Sequence, residues 1–522
     1  ENNLIYVNFD PDLVRLLREV KYLLVLGLEI PESALSVYKK AETFRTQTGN
    51  LEIITHRYNT TISCLLEVER PLFSAKLEEI DKSLSKGLQH LNWKSHGIAE
   101  FIQSSMSTVK GVHQTVMTLK ANVESIEKLL ANWCADPLFD RKNRTYNVDD
   151  FTEKHAEFRV ARENEITEGG AEMHQLLLKS NRALRVSKGA PPWKSYVDYV
   201  NTIVVDGWIK LLRLSLEYLE EQLNPVKMEE KEIIPLLEIK LELVVPEVQF
   251  SPDMNSSSGQ RGIREMVSDW IDGFFRSASL MKRLDTGEDD YRAEMESNES
   301  LVALKQAILD LLAKNEDQCM QFRASFLTYS YLWKEDINQS FNALLESFYV
   351  YDEDGKVLPE SMEPPLSAFE KKIAYYKDIQ DTIQQLPNTT NIGWLRIDAK
   401  PIKQALSTWS SKWIFSFTHF LGSSVTEAID ELYDFIARIG EGLDAPVPEG
   451  DRDALMMAMG CIRDIRVRTP KTDEMFEPLK QKMELLKKFG ILLPDSAAKK
   501  LDDGPRAWDL LKKKGFAAKE AL

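Results

Sequence analysis

Residues 112–133 read VHQTVMTLKANVESIEKLLANW, and their apolar positions are separated by alternating steps of four and three residues. These positions are Val112, Val116, Leu119, Val123, Ile126, Leu130 and Trp133. The spacing places all of these side chains on one face of an α-helix, in the heptad pattern of packed helices. Because most helical stability in proteins comes from packing such a face, we predict a long helix covered by partner helices.

Four further stretches of the chain repeat this heptad spacing. Their apolar positions are Leu77, Ile80, Leu84, Leu88 and Leu91; Leu301, Leu304, Ile308 and Leu311; Ile429, Leu432, Ile436 and Ile439; and Phe476, Leu479, Met483 and Leu486. Long amphipathic helices joined by short breaks are typical of antiparallel bundles. The sequence therefore predicts a mainly α fold, an elongated series of antiparallel helical bundles with a few short β-strands or hairpins.

The breaks between the helices can also be located. Asp10-Pro11 predicts a helix start, with a capping carboxylate followed by proline at the first helical position. Asp136-Pro137 predicts the end of the long helix, because the residue before a proline is disfavoured in helical conformation. The stretches 189–192, 251–262 and 444–453 are polar or rich in proline and glycine, and we predict loops there.

Strand signals are few. Residues 4–9 are short and mostly apolar, and residues 237–245 alternate between apolar and charged side chains. Residues 349–358 read YVYDEDGKVL, in which Asp354-Gly355 between apolar flanks indicates a hairpin. We predict four segments: 1–135, a long-helix bundle; 136–285, a second bundle with a β element near 236–250; 286–440, a third with the hairpin near 349–358; and 441–522, the start of another.

Composition argues against nucleic-acid and anionic-membrane binding. The 522 residues carry a formal net charge of −16, whereas phosphate contact needs clustered Lys and Arg. The run Lys512, Lys513 and Lys514 lies near Asp509, so a solvated helix face is the simpler interpretation. The longest apolar stretch, residues 22–28, is too short to span a bilayer. The chain opens at Glu1 directly in the strand-like residues, which favours a piece of a larger protein.

Catalytic and metal-binding motifs are not found in the sequence. It contains no GxxxxGK[ST], GxSxG, HExxH or GxGxxG. His96 with Glu100, and His155 with its neighbours Glu153 and Glu157, are interpreted as ordinary surface pairs, because two ligands do not make a metal site. The acidic cluster after Gly287 lacks the spacing of a calcium loop and is interpreted as solvated loop charge. We expect no catalytic, cofactor or metal site and no enzymatic activity in this segment.

The cysteines and glycosylation sequons do not indicate a secreted disulfide protein. Cys64, Cys134, Cys319 and Cys461 are far apart and are predicted to be reduced thiols, mostly buried. Six Asn-X-Ser/Thr sequons are interpreted as incidental. They begin at Asn59, Asn143, Asn255, Asn298, Asn338 and Asn388.

Two groups of aromatic residues fall at helical spacing. They are Trp409, Trp413, Phe417 and Phe420, and Phe322, Phe326, Tyr329 and Trp333. A bundle core is the first interpretation. Exposed anchors for a partner are the alternative, since Trp and Tyr are enriched at binding hot spots. The sequence leaves both open, and the residues that bind partners stay unknown at this point.

A series of short motifs, in order along the chain, resembles the N-terminal tail of dynein heavy chains, in a style nearer to axonemal than to cytoplasmic members. The motifs are VNFDP (7–11), REVKYL (18–23), LGLEIPESA (26–34), VERPL (68–72), LNWKS (91–95), PLLEIKLEL (235–243), YSYLW (329–333), WLRID (394–398) and DEMFEPLKQKMELLKKFG (473–490). Each motif alone is weak, but their ordered combination is specific and covers essentially the whole chain.

The resemblance implies a non-catalytic tail segment, outer-arm type favoured, of an ATP-driven microtubule motor whose motor ring lies elsewhere. Such tails carry intermediate chains with β-propellers and neighbouring heavy-chain tails. They associate with light chains and the docking complex, and they anchor the motor to the doublet microtubule, transmitting force for ciliary beating. The implied location is the cytoplasm and cytoskeleton, in the axoneme of a cilium or flagellum. Ile102-Gln103 lacks the downstream Arg of an IQ motif, which puts calmodulin-like light-chain binding here in doubt.

Two other hypotheses remain from the sequence. A helical-rod scaffold or vesicle-tethering subunit explains the heptads and the acidity, but it predicts a clear internal repeat, which is not found. An enzyme with an unrecognised site is supported only by scattered carboxylates.

Overall fold

The computed structural model describes residues 4–224, 234–256, 259, 261–285, 289–358, 362–448 and 450–521. Sixteen α-helices and a few short strands are found in these ranges, which confirms the mainly α prediction. The chain divides into two compact units, Glu1–Leu237 with Asn255–Lys314, and Glu238–Met254 with Asn315–Leu522. The four segments predicted from the sequence stay a prediction.

The first unit is built around a long central helix. Its helices are α1 (Pro11–Val25), α2 (Glu32–Tyr38), α3 (Ala41–Cys64), α4 (Arg70–Gln89), α5 (Ile98–Trp133), α6 (Val148–Leu184), α7 (Pro191–Leu223), α8 (Ile263–Ser277), α9 (Arg292–Ser297) and the first part of α10 (Glu299–Phe326), with the short strand β1 (Tyr146–Asn147) before α6. The central helix α5 contacts α3, α4, α6 and α7. Every heptad position of residues 112–133 is buried except Val123, which is half-buried. The predicted long helix and its cover by partner helices are confirmed.

The second unit combines two β-hairpins with a helical bundle. Its elements are β2 (Leu237–Val244), β3 (Glu247–Ser251), the end of α10 (Glu299–Phe326), α11 (Tyr331–Lys334), α12 (Ile337–Glu346), α13 (Leu366–Gln385), β4 (Thr389–Ile392), β5 (Leu395–Asp398), α14 (Lys400–Asp444), α15 (Arg452–Lys488) and α16 (Asp495–Ala521). Within the last three helices, Gly504 lies against Phe476 and Gly515 against Ile465. As residue numbers rise in α16 they fall in α15, so these helices are antiparallel.

The strands of the second unit are partly as predicted. β2 pairs antiparallel with β3 from Lys240–Ser251 to Val244–Glu247, and its alternating burial confirms the predicted strand. The β4–β5 hairpin was not anticipated: its two-residue loop contains Gly393, whose φ of 57° favours glycine. The hairpin at 349–358 is present with a single bridge between Tyr351 and Val357, closed by a turn at Gly355.

The predicted strand at residues 4–9 is wrong, since these residues form no strand in the described part of the chain. The backbone N–H of Ile5 donates to Oδ1 of Asn59 at 2.9 Å, and Asn59 Nδ2 donates back to the carbonyl of Ile5 at 2.8 Å. A side-chain amide of α3 thus takes the place of a neighbouring strand. The same contact uses the amide of one predicted glycosylation sequon internally.

The heptad seam of α4 is only partly buried. Ile80 and Leu84 are buried, but Leu88 is 68% exposed, although its spacing predicts a core position. The helix ends at Gln89, one residue later, so no further turn is available to carry the seam into the bundle. Leu91 lies beyond the helix and is half-buried.

Candidate interaction surface

The N-terminal pair of helices starts as the sequence predicts. The Asp10 carboxylate accepts a hydrogen bond from the backbone N–H of Asp12 at 2.8 Å, and Pro11 occupies the first helical position. The helix ends at Val25, and Gly27, at a φ of 68°, turns the chain towards α2. Only Val20 is buried in α1, and no residue of α2 is buried. The pair therefore contributes little to the core of its own unit.

The end of α1 carries a cluster of exposed apolar side chains, which we call the α1 surface. Its members are Tyr22, Leu24, Val25, Leu26 and Leu28, each between 45% and 77% exposed. Single exposed apolar residues are normal on soluble proteins, but a contiguous cluster is typical of a protein interaction site. Charged side chains of both signs flank it, including the exposed Arg18, Lys21 and Glu29. An apolar centre with a charged border is the usual composition of a protein–protein interface.

The sequence signal for this surface is the apolar run 22–28, whose length alone excludes a membrane span. Heptad spacing does not single the run out, because its apolar residues are consecutive rather than three and four positions apart. Among the described residues, no helix is both long and apolar enough to cross a bilayer.

A second exposed apolar cluster lies on the first turns of α15 in the other unit. Leu455, Met456, Met457 and Met459 are between 40% and 71% exposed. Methionine side chains are flexible and adapt to differently shaped partners. The sequence reasoning missed this cluster as well, and its signal is the run LMMAM at 455–459.

The aromatic residues at helical spacing mostly form the core of the second unit. Trp413 and Phe417 are buried, and Trp413 stacks on Tyr376 with ring centroids 5.1 Å apart. The indole N–H of Trp413 donates to the carbonyl of Leu332 at 2.8 Å. Phe326 and Trp333 are buried too, while Phe322, Tyr329, Trp409 and Phe420 are half-buried. The exposed aromatic on α14 is instead Phe415, next to His419.

The surface interpretation of His155 is wrong. His155 is only 7% exposed and lies among Phe139, Phe151 and Trp270, with ring centroids 5.3 to 5.7 Å from its own. Within the described ranges, its Nδ1 has no hydrogen-bond partner. Burial, together with the nearby Arg159, lowers the pKa of His155 from 6.5 to about 4. Periodicity missed this position because its neighbours Glu153 and Glu157 are exposed.

His155 predicts a pH dependence of stability. Between about pH 4 and 6.5 the unfolded chain binds a proton at this ring and the folded chain does not, so the free energy of unfolding falls as pH falls through that window. The loss reaches roughly 3 kcal/mol once the pH has fallen to the folded-state pKa of about 4. We expect His155→Phe to flatten the pH dependence in urea denaturation of the first unit. A pH slope in His155→Phe equal to that of the unsubstituted chain would contradict the prediction.

The remaining candidates are the cysteines, the basic run, His96 with Glu100, and the acidic cluster. All four cysteines are free, as predicted, but only Cys319 is buried and the other three are half-buried. Within the basic run, Lys512 pairs with Asp473 at 3.0 Å and Lys514 pairs with Asp444, so two of the three lysines join helices rather than only facing solvent.

His96 and Glu100 are exposed. Glu288 of the acidic cluster, and Gly287 before it, lie outside the described residues. In the part of the chain that the structure describes, no three His, Cys, Asp or Glu side chains are grouped to hold a metal ion.

Comparison with known proteins identifies the family. Residues 1–101 match the family model described as "Dynein heavy chain, N-terminal region 1". The chain is 37% identical to the flagellar outer-arm dynein beta chain of Chlamydomonas reinhardtii, over 99% of its own length. It is 33% identical to the ciliary dynein beta chain of Heliocidaris crassispina over 100% of its length, and 31% identical to human dynein axonemal heavy chain 17 over 99%. The chain belongs to the dynein heavy chain family.

The matches place this dynein segment in the N-terminal tail region of axonemal heavy chains, as its motifs predict. The segment spans 12% of the length of each of these three relatives, so it is a small part of a heavy chain and is not the motor domain. The names of the relatives, flagellar outer arm, ciliary and axonemal, agree with the predicted location. The hypothesis of a vesicle-tethering rod has no support among these relatives.

Proposed function

We propose that this segment is a non-catalytic assembly scaffold in the tail of an outer-arm type axonemal dynein heavy chain. It carries intermediate chains through their β-propellers, neighbouring heavy-chain tails, light chains and the docking complex. It anchors the motor to the doublet microtubule and transmits force for ciliary beating, within the cytoskeleton of the axoneme. The observation that carries this proposal is the α1 surface, an apolar cluster that the first unit leaves open to solvent.

The energetics of the α1 surface favour a permanent partner. Apolar side chains gain about 25 cal/mol for each Å² removed from water, so covering five large side chains is strongly favourable. Leaving them exposed promotes non-specific association. A partner subunit in the arm would remove this cluster from solvent.

The scaffold role is also consistent with how the second unit is held together. Its last three helices share a core that includes Ile429, Phe476 and Trp508. Ion pairs join the same helices, such as Lys500 with Asp430 at 2.6 Å. Packed long helices of this kind resist deformation because protein interiors are dense and have low compressibility. Resistance to deformation is what an anchor under load requires.

The test is reconstitution with purified components. The segment, as the full 522-residue chain, is mixed with purified outer-arm intermediate chains and analysed by size-exclusion chromatography with light scattering. We expect a stable complex, and we expect ATP hydrolysis by the segment at background level. A segment that binds no arm subunit, or that hydrolyses ATP by itself, would contradict the proposal. Binding to vesicle coats instead would favour the tethering hypothesis.

A further inference from the structure

We propose that a small cavity between α6 and α8 binds one water molecule, held by His155, Arg159 and Arg162. The water accepts hydrogen bonds from the Nε–H groups of both arginines and donates one to Nδ1 of the histidine. The site lies inside the first unit, so it is independent of the proposed assembly function.

Three side-chain nitrogens on α6 carry the inference. Nδ1 of His155, Nε of Arg159 and Nε of Arg162 are buried, and none of them has a hydrogen-bond partner among the described residues. The three positions are separated by four and three residues, so the helix places them along one face. His155 is 7% and Arg162 is 8% exposed. A buried polar atom without a partner is costly, and buried water commonly satisfies such atoms.

The same three side chains line one cavity. Its volume is about 10 Å³, which corresponds to the space for a single water molecule. The wall contributed by α8 consists of Trp270, Gly273, Phe274 and Ser277. Cavities in proteins stay dry when their lining is apolar, whereas a polar lining retains water. Three buried nitrogens on the α6 wall therefore favour a hydrated cavity.

The hydrogen-bonding capacities of these groups match those of water. The Nε of an arginine carries one hydrogen and can only donate, so Arg159 and Arg162 each require an acceptor. Burial lowers the pKa of His155 to about 4, so its ring is neutral at neutral pH and Nδ1 can accept in the tautomer protonated on Nε2. A water molecule accepts two hydrogen bonds and donates two, so one molecule serves all three nitrogens.

The carboxylate of Glu163 favours water over an anion such as chloride. Glu163 also lines the cavity, and its Oε1 lies 3.4 Å from Nε of Arg159 without forming a hydrogen bond. This negative charge would repel an anion, whereas it can accept the remaining hydrogen of a water molecule. The positive charge of Arg162 is already paired, because its Nη1 lies 2.5 Å from Glu165.

Arg162 connects the water site to the end of α5. Its Nη2 donates to the carbonyl of Trp133 at 2.7 Å and to that of Asp136 at 2.9 Å. These carbonyls lie at and just beyond the last residue of α5. A water molecule bound to Nε restrains the same guanidinium group, so it helps to hold α6 against the end of α5.

Adding a methyl group to the cavity wall tests the site. A Cβ atom at Gly273 would lie 3.9 Å from Cδ of Arg159, an ordinary contact, so alanine fits without a clash. If the cavity held no water, the higher helix propensity of alanine should raise the ratio of folded to unfolded protein about fivefold. We expect Gly273→Ala to lower this ratio about tenfold instead, because the methyl group displaces the water and leaves the three nitrogens unpaired.

Gly111 provides a matched control for this substitution. It is a glycine within α5, and a Cβ atom there would meet nothing within 4 Å. Urea denaturation of the 522-residue chain should show that Gly111→Ala raises the folded-to-unfolded ratio, up to about fivefold. A Gly273→Ala chain at least as stable as the unsubstituted chain would overturn the proposal.

A crystal structure of the unsubstituted chain, grown in sodium bromide at a resolution that shows ordered water, identifies the bound species without any variant. We expect one density peak about 2.7–3.2 Å from at least two of the three nitrogens, without anomalous scattering from bromide. Anomalous scattering at that peak would identify an anion site. A cavity without density would be dry. Either result would overturn the assignment of a bound water molecule.

Discussion

Replacing Trp133 by alanine is expected to lower the free energy of unfolding of the first unit by about 3–5 kcal/mol. Trp133 is 2% exposed and packs against Trp208 with ring centroids 5.3 Å apart. Removal of the indole takes away a large buried apolar surface and leaves a cavity that the rigid helices α5, α6 and α7 fill only in part. Urea denaturation monitored by hydrogen exchange of α5 amides measures the change.

A second substitution, at Gly169, tests the same packing between α5 and α6. A Cβ atom at Gly169 would lie 2.9 Å from Nε1 of Trp133, so the indole occupies the space beside this glycine. We expect Gly169→Leu to destabilise the wild-type chain by overpacking but to recover part of the stability lost in Trp133→Ala, because the new side chain enters the vacated space. Tyr22→Ala, at an exposed aromatic, should change stability by less than about 0.5 kcal/mol. Additive effects of the two buried substitutions would contradict this packing account.

Replacing Val25 by glutamate is expected to weaken binding of arm subunits at least thirtyfold, which corresponds to about 2 kcal/mol at a binding hot spot. Val25 is 77% exposed, the most exposed member of the α1 surface. A carboxylate there would be buried without a partner in the complex but would stay hydrated in the free segment. The free energy of unfolding should therefore be unchanged. Reconstitution with purified intermediate chains and incorporation of the full heavy chain into axonemal arms are the measurements.

Val160 offers a matched control for that substitution. It is also an exposed valine on a helix of the first unit, at 51%, but is not part of the α1 surface. We expect Val160→Glu to leave both binding and stability nearly unchanged. Equal loss of binding in Val160→Glu would show that added negative charge, rather than the apolar cluster, determines the result.

Helical periodicity was a sufficient guide to the long helices because it reports burial on one face directly. The heptad at 112–133 predicts α5 and its buried side chains, and the spacing at 476–486 predicts the core of the last bundle. Proline and capping signals fixed ends as well, at Asp10-Pro11 and at the loop before Pro191. These features depend on neighbours within a few positions, which a single sequence contains.

Features that depend on residues far apart in the sequence could not be predicted from residue spacing. Residues 4–9 have a strand pattern, yet their hydrogen-bonding partner is the side chain of Asn59, 54 positions further from Ile5. His155 has charged neighbours in sequence, and the aromatic rings that bury it come from three separate parts of the chain. The side chains of the α1 surface are exposed in the folded unit. The spacing of residues in the sequence does not show which helix surfaces remain exposed. The family, in contrast, was found from its ordered motifs.

A density map of the native outer arm that resolves this segment tests the account most directly. We predict that density of another polypeptide covers Tyr22, Val25 and Leu26, and that the contact excludes water from these side chains. Solvent over the whole α1 surface in the fully assembled arm would contradict the scaffold function proposed for this part of the tail.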